Sequence, residues 1–336
     1  MSRQTTIRLA CNHFSSRPQG KGFAPLTQRK STIFRVKGPA VNRHAGAVGS
    51  VIDRVEHAAA AATAMALRRT TRSRGRRPSW LRAATEVALV GVDRDGDDTA
   101  VVEVQSARLG EAAKPLFDEQ WLFDDDRPDE DATGFDLLGK TINDIQSGQA
   151  ENEDFDSGLL KRLIAFSKPL DRDVEAIEFQ ISGTPTVDQR LVGLSRALNE
   201  QTPSNRRVRV MGRLDLLSNS DSLFRILLPG DQKVRGTWKM DDIAKLRSML
   251  NEDVVINGTA VFRPSGKLLR VDAETMHVAE AGDHLFEKLP QPLPIGLPVK
   301  SYLQKQSSSR SMQSVMGQWP GDESDEQILE ALEEMS

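Results

Sequence analysis

Two periodicities alternate along this chain. Ser31–Val36 alternates apolar and polar residues as a strand does, and Gly38-Pro39 ends it. From Ala45 to Arg69 the spacing changes. Val48, Val51, Ile52, Val55, Ala59 and Ala62 recur at helical intervals, which predicts one long helix. A basic loop, Arg72 to Pro78, follows. Two further alternating runs, Glu86–Val92 and Thr99–Gln105, are joined by Asp93-Arg-Asp-Gly-Asp-Asp98 and read as a hairpin. Short helices are expected around Phe135–Ile145. Asp156 is placed to cap a helix reaching Phe166, with Leu159, Leu160, Leu163 and Ile164 on one face. Val174–Ser182 reads as a strand, and Asp188–Asn199 as a helix carrying Leu191, Leu194 and Leu198.

The pattern from 206 to 279 is denser. Five alternating runs occur: Val208–Leu217, Leu223–Leu228, Lys233–Lys239, Val254–Arg263 and Leu268–Val278. Between the third and fourth, Asp241–Asn251 has Ile243, Leu246 and Leu250 at helical spacing. Gly212 and Gly258 fall inside strands, where glycine permits tight coiling. Pro229-Gly-Asp231 and Pro264-Ser-Gly266 read as turns. The order β-β-β-α-β-β resembles an OB-fold barrel. The expected class is therefore α+β. A loose N-terminal arm (1–30, with a short strand at Thr5–Ala10) precedes an α/β module (31–200) and an OB-like barrel (206–280). A Pro- and Ser/Gln-rich linker (289–318) leads to a short C-terminal helix within 319–336.

Charge sharpens this division. Residues 1–80 hold 16 basic residues against two acidic ones, a net of +14, whereas residues 81–200 hold 12 against 27, a net of -15. The whole chain has a net charge of only -3. Mutual neutralisation of packed halves is one reading, and a nucleic-acid footprint in the basic block is the other. The barrel repeats the choice on a smaller scale. Phe224, Trp238 and Phe262 lie on different strands, among Arg209, Arg213, Arg225, Arg235 and Arg263. They form either a core or a platform on which single-stranded DNA or RNA stacks within a basic groove.

Chemistry-bearing motifs are scarce. One cysteine, Cys11, excludes an internal disulfide and any multi-thiolate metal site. The five histidines are scattered, and Cys11 with His13 is a weak metal pair in the arm. A calcium loop counted from Asp93 would need Gly at its sixth position and Glu at its twelfth; Asp98 and Val104 stand there. Gly193-Leu-Ser-Arg-Ala197 misses the serine-nucleophile pattern and sits in a predicted helix. Ser265-Gly-Lys267 lacks the glycine-rich run and following helix of a phosphate loop. The expectation is a non-enzymatic protein with no cofactor and no bound metal. No apolar run reaches the length of a membrane span. The sequence sets no oligomeric state.

The tail carries the most specific pattern. Trp319-Pro320-Gly321 is an aromatic anchor beside a turn. Ser324 and Gln327 make a capping box. Ile328, Leu329, Leu332 and Met335 form an apolar stripe, and seven acids lie between Asp322 and Glu334. A helix of about twelve residues is marginal alone in water, so docking is expected. The run Gly317 to Ser336 resembles the C-terminal motif of bacterial proteins encoded beside PIN-domain ribonuclease toxins. Val210-Met-Gly-Arg-Leu-Asp215 and Val261-Phe-Arg-Pro-Ser-Gly266 resemble the barrel of larger members of that group. The matches cover under a third of the chain. The resemblance implies a cytoplasmic antitoxin acting in bacterial defence. Its tail, through Trp319, Pro320, Asp322, Glu323, Ile328, Leu329 and Leu332, would bind and restrain a PIN-type ribonuclease toxin. It supplies no catalytic residue.

Overall fold

The computed structural model describes residues 29–39, 41, 45–71, 79–118, 127–148, 155–218, 222–238 and 243–293. The N-terminal arm up to residue 28, with the strand expected at Thr5–Ala10, lies outside them, as do the basic loop 72–78 and the tail, whereas Arg29 and Lys30, expected in the arm, begin the first strand. The chain divides into two units, residues 1–293 and 294–336, and the described residues all belong to the first.

Its N-terminal part is a sheet covered by helices. Strand β1 (Arg29–Lys37) leads to helix α1 (Ala45–Arg68) and helix α2 (Ser79–Thr85). Strands β2 (Val87–Arg94) and β3 (Thr99–Ala107) follow. Then come helices α3 (Leu109–Ala112), α4 (Lys114–Asp118), α5 (Gly134–Gln146), α6 (Ser157–Ile164) and α7 (Ser167–Leu170). Strands β4 (Ala176–Phe179) and β5 (Thr186–Val187) and helix α8 (Gln189–Gln201) complete the module. The sheet order is β2-β3-β1-β4-β5, and every described neighbour pair in it is antiparallel.

Local chemistry explains the ends of these elements. Asp156 caps α6 as expected, its carboxylate accepting from the Gly158 and Leu159 amides at 2.9 and 3.0 Å. Thr133 and Asp136 form a capping box that starts α5. Asp93 and Arg94 end β2, and residues 95–98 make the hairpin connection to β3, with Gly96 at φ +79° in the turn. The long helix α1 packs against α2, α5 and α6, and its Val51, Val55 and Met65 share one buried core with Phe34, Val36, Val102 and Val104 of the sheet. A second cluster under α2, made by Trp80, Leu81, Leu109, Leu116 and Phe117, has no counterpart in the sequence expectation. Those residues sit in elements of four to seven residues, too short to show a period.

The second part is a closed five-stranded barrel. It comprises β6 (Arg206–Ser218), β7 (Leu223–Leu228), β8 (Gln232–Thr237), helix α9 (Ile243–Ser248), β9 (Asp253–Phe262) and β10 (Leu268–Val278). Round the barrel the order is β10-β8-β7-β6-β9, and only β8 and β10 run parallel. Each strand falls within two residues of its expected bounds, and the helix lies between the third and fourth strands. This agrees with the OB-like expectation. Closure depends on bare backbone at two crossings. A Cβ at Gly258 would stand 2.4 Å from the Asp272 carbonyl oxygen, and one at Gly236 would stand 2.2 Å from both Val271 O and the Phe224 ring.

The two parts share an interface with an apolar and an ionic layer. Val261 and Leu269, from β9 and β10, belong to the core of the α/β module. Beside them Arg270 is 2% exposed. Its Nε donates to Asp272 Oδ1 at 2.8 Å, and its Nη1 donates to Arg69 O at 2.9 Å and Asp156 Oδ2 at 3.3 Å. The α6 cap is therefore also the counter-charge for a barrel arginine.

Candidate nucleic-acid interface

Two sets of barrel cations stand out, and members of both make polar or charged contacts within the protein. The first pairs with Asp215, Asp272 and Asp283. Arg225 donates through Nε and Nη2 to Asp215 Oδ2 at 2.8 and 2.5 Å. Asp215 lies at the register shift between Leu214 and Leu216 on β6. Arg209 donates to Asp283 at 2.8 Å, and its guanidinium lies 4.5 Å from the centre of the Phe286 ring. Asp283 and Phe286 bound a 3-10 turn that follows β10. With Arg270, these arginines brace the fold.

The second group surrounds a cleft of about 560 Å³. Lys233 and Arg235 reach it from β8. Two residues apart on one strand, they share a face, while Val234 between them is buried in the core. Arg263 and Lys267 reach it from the β9–β10 turn. There the Arg263 amide donates to Lys267 O and the Gly266 amide to Arg263 O, both at 2.9 Å. Gly266 takes φ +81°, so the turn needs glycine at this position. Aliphatic Leu268, Leu269, Leu289 and Pro292 complete the walls with Ser265 and Gln291. The described lining contains no carboxylate. Each of the four cations also makes polar or charged contacts elsewhere.

Of the eight barrel residues considered for nucleic-acid binding, Arg235 and Arg263 line this cleft. Arg213 is exposed on β6 and does not line it. The stacking alternative fails for the three aromatics. Phe224, Trp238 and Phe262 are 2%, 5% and 1% exposed, which leaves no ring face for a base. Phe224 and Trp238 belong to the barrel's apolar core, and Phe262 is buried at the end of β9. Lys233 and Lys267 are new to the site. Lys233 was legible as the same-face neighbour of Arg235. Lys267 lies in the Ser-Gly-Lys turn, which is indeed no phosphate loop but borders the cleft. Leu289, Gln291 and Pro292, at the head of the expected linker, are also part of this wall, and Leu289 packs on the barrel core. The tail positions Trp319, Pro320, Asp322, Glu323, Ile328, Leu329 and Leu332 lie outside the described residues.

The α/β module holds a smaller cavity of about 200 Å³ among α1, α2 and α6, lined by His57, Arg68 and Arg162 together with small residues. Among the described residues no group of three His, Cys, Asp or Glu side chains stands together as a metal site. No described helix is long and apolar enough to cross a membrane. One histidine is shifted: a hydrogen bond and the charge of Glu287 raise His284 above its ordinary value of 6.5. It does not line the cleft. The chain matches no protein-family model, no curated protein and no solved structure.

Proposed function

We propose that this chain is a non-catalytic binding protein that holds single-stranded nucleic acid in the cleft of an OB-like barrel. The observation that carries this reading is the convergence of Lys233, Arg235, Arg263 and Lys267 on one concavity. In OB folds the third strand and the turn between the fourth and fifth border the ligand face. Here β8 is the third strand and Arg263–Lys267 is that turn. A concave, basic surface concentrates potential and attracts a polyanion from a distance. The cleft's volume lies within the range of ordinary ligand sites. The test is retention of the full chain on immobilised single-stranded RNA and DNA across a salt series. The reading expects retention that falls steeply as salt rises. Absence of retention at low salt would reject it.

A second reading is favoured by the sequence of 317–336. The Trp319 anchor and the apolar stripe Ile328, Leu329 and Leu332 suit helix-in-groove docking, and Asp322 and Glu323 suit a basic RNA-binding surface. On this reading the chain is an antitoxin that restrains a PIN-type ribonuclease through its tail. Pull-downs with the full chain and with a chain ending at Ser314 test it. A nuclease captured only by the full chain is the expected result, and capture by neither or by both equally contradicts it. The two readings are compatible, because a barrel that holds nucleic acid and a tail that holds a nuclease occupy different parts of the chain.

A further inference from the structure

We propose that the cleft recognises the phosphate chain alone, and that it therefore takes inorganic polyphosphate as well as any single strand regardless of base sequence. The inference rests on the cleft being the strand-binding site.

Its basis is what the cleft offers and what it lacks. Selective binding of single strands draws on two devices, stacking on exposed rings and hydrogen bonding to base edges. The first is missing, because no aromatic residue is among the described lining and the barrel's three candidate rings are buried. The second is nearly so. Gln291 and Ser265 are the only uncharged polar side chains described in the lining, and the remainder of the wall is aliphatic or glycine. What is present suits phosphate. Two guanidinium groups provide planar forks that match phosphate oxygens, and two ammonium groups provide compact charges. Their arrangement favours a chain over a single ion. Lys233 and Arg235 lie two residues apart on β8, and Arg263 and Lys267 reach the same cleft from the turn, so one chain of phosphates has four cations to meet there. Contacts these four make elsewhere do not exclude this, because a polyanion brings several negative charges to exchange against them at once.

The experiment uses the full chain and fluorescence anisotropy with labelled homopolymer and mixed-sequence oligonucleotides of one length. Unlabelled polyphosphate and orthophosphate of equal total phosphorus serve as competitors. The expected result is affinities within about threefold across base compositions, complete displacement by polyphosphate and little by orthophosphate, as the multi-charge contribution requires. The double variant Lys233→Gln with Lys267→Gln, at two exposed positions, should weaken both ligands together by about tenfold or more. Arg213→Gln, outside the cleft, should change either affinity by about twofold at most, and circular dichroism checks that both variants remain folded. Strand binding that resists polyphosphate, or that differs about tenfold between base compositions, would overturn the inference and leave the nucleic-acid reading standing. Polyphosphate binding without strand binding would reject the nucleic-acid reading and keep phosphate recognition. Binding of neither would reject both.

Discussion

The α/β module and the barrel are built on comparable apolar patterns but distribute their charges differently. The module's segment 81–200 has a net charge of -15. Several of its acids are tied to the fold: Glu178 pairs with Lys37 across the sheet at 2.6 Å, Asp136 pairs with Lys30 at 3.0 Å, and Asp156 caps α6 and receives Arg270. The segment 201–280 has a net charge of only +3. Yet it gathers four cations on one concavity, because β8 alternates and a hairpin turn closes beside it. Net charge per segment does not record this gathering. Placement by strand register, which composition does not record, makes the local potential.

The comparison is most easily broken by core changes, which carry the largest expected effects. Phe224→Ala in the barrel should cost about 3–5 kcal/mol. Strand affinity per folded molecule should stay unchanged, since the ring is core and no stacking surface. Urea denaturation with a binding assay on the folded fraction checks both statements, and a stable protein that no longer binds would contradict them. Arg270→Ala should cost about 3–5 kcal/mol, because it takes the guanidinium away from buried Asp156 and part-buried Asp272. Arg270→Met should cost less than Arg270→Ala, since it fills the space while removing the charge. If both variants melt like wild type, the ionic layer between module and barrel does not bear on stability.

Smaller effects sharpen the same contrast. Thr133→Ala removes the side chain that opens α5 and should cost about 1 kcal/mol, read as a shift in the urea midpoint. The smallest effect is expected at His284, which is 71% exposed beside Glu287. Its folded value is raised, so its contribution is present in full below 6.5 and is lost as pH rises through the folded value. His284→Gln should remove that slight pH dependence of stability and leave strand binding unaltered. A large shift in binding with pH that depends on His284 would contradict its placement outside the cleft.

Much of the fold was legible. The barrel strands have period two, the turns carry Pro and Gly, and α1, α5, α6 and α8 have apolar stripes with Asp or Thr ahead of the last three. What escaped was the region under α2, where Trp80, Leu109 and Phe117 meet from elements too short to show a period. The candidate site was half legible. Arg235 and Arg263 lie on predicted strands as Arg209, Arg213 and Arg225 do, and a linear pattern does not show which of them share a cleft. Arg225 finds Asp215 through a register shift, and Arg209 finds Asp283 from 74 residues away. Nor does the pattern show whether a ring on a strand faces inward or outward, since a bulge reverses the alternation. Phe224, Trp238 and Phe262 were therefore open to both readings until the barrel closed around them.

The central claim is that cations placed by register, rather than net charge, make this barrel bind a strand. Its most direct test is the salt dependence of single-strand affinity for the full chain and for Lys233→Gln with Lys267→Gln. Each phosphate contact contributes about 0.7 to the slope of log affinity against log salt for a single strand, so removing two should lower the slope by about 1.4. That drop, with no drop for Arg213→Gln, is the predicted result. An unchanged slope in the cleft variant would mean that the strand, if it binds, binds elsewhere.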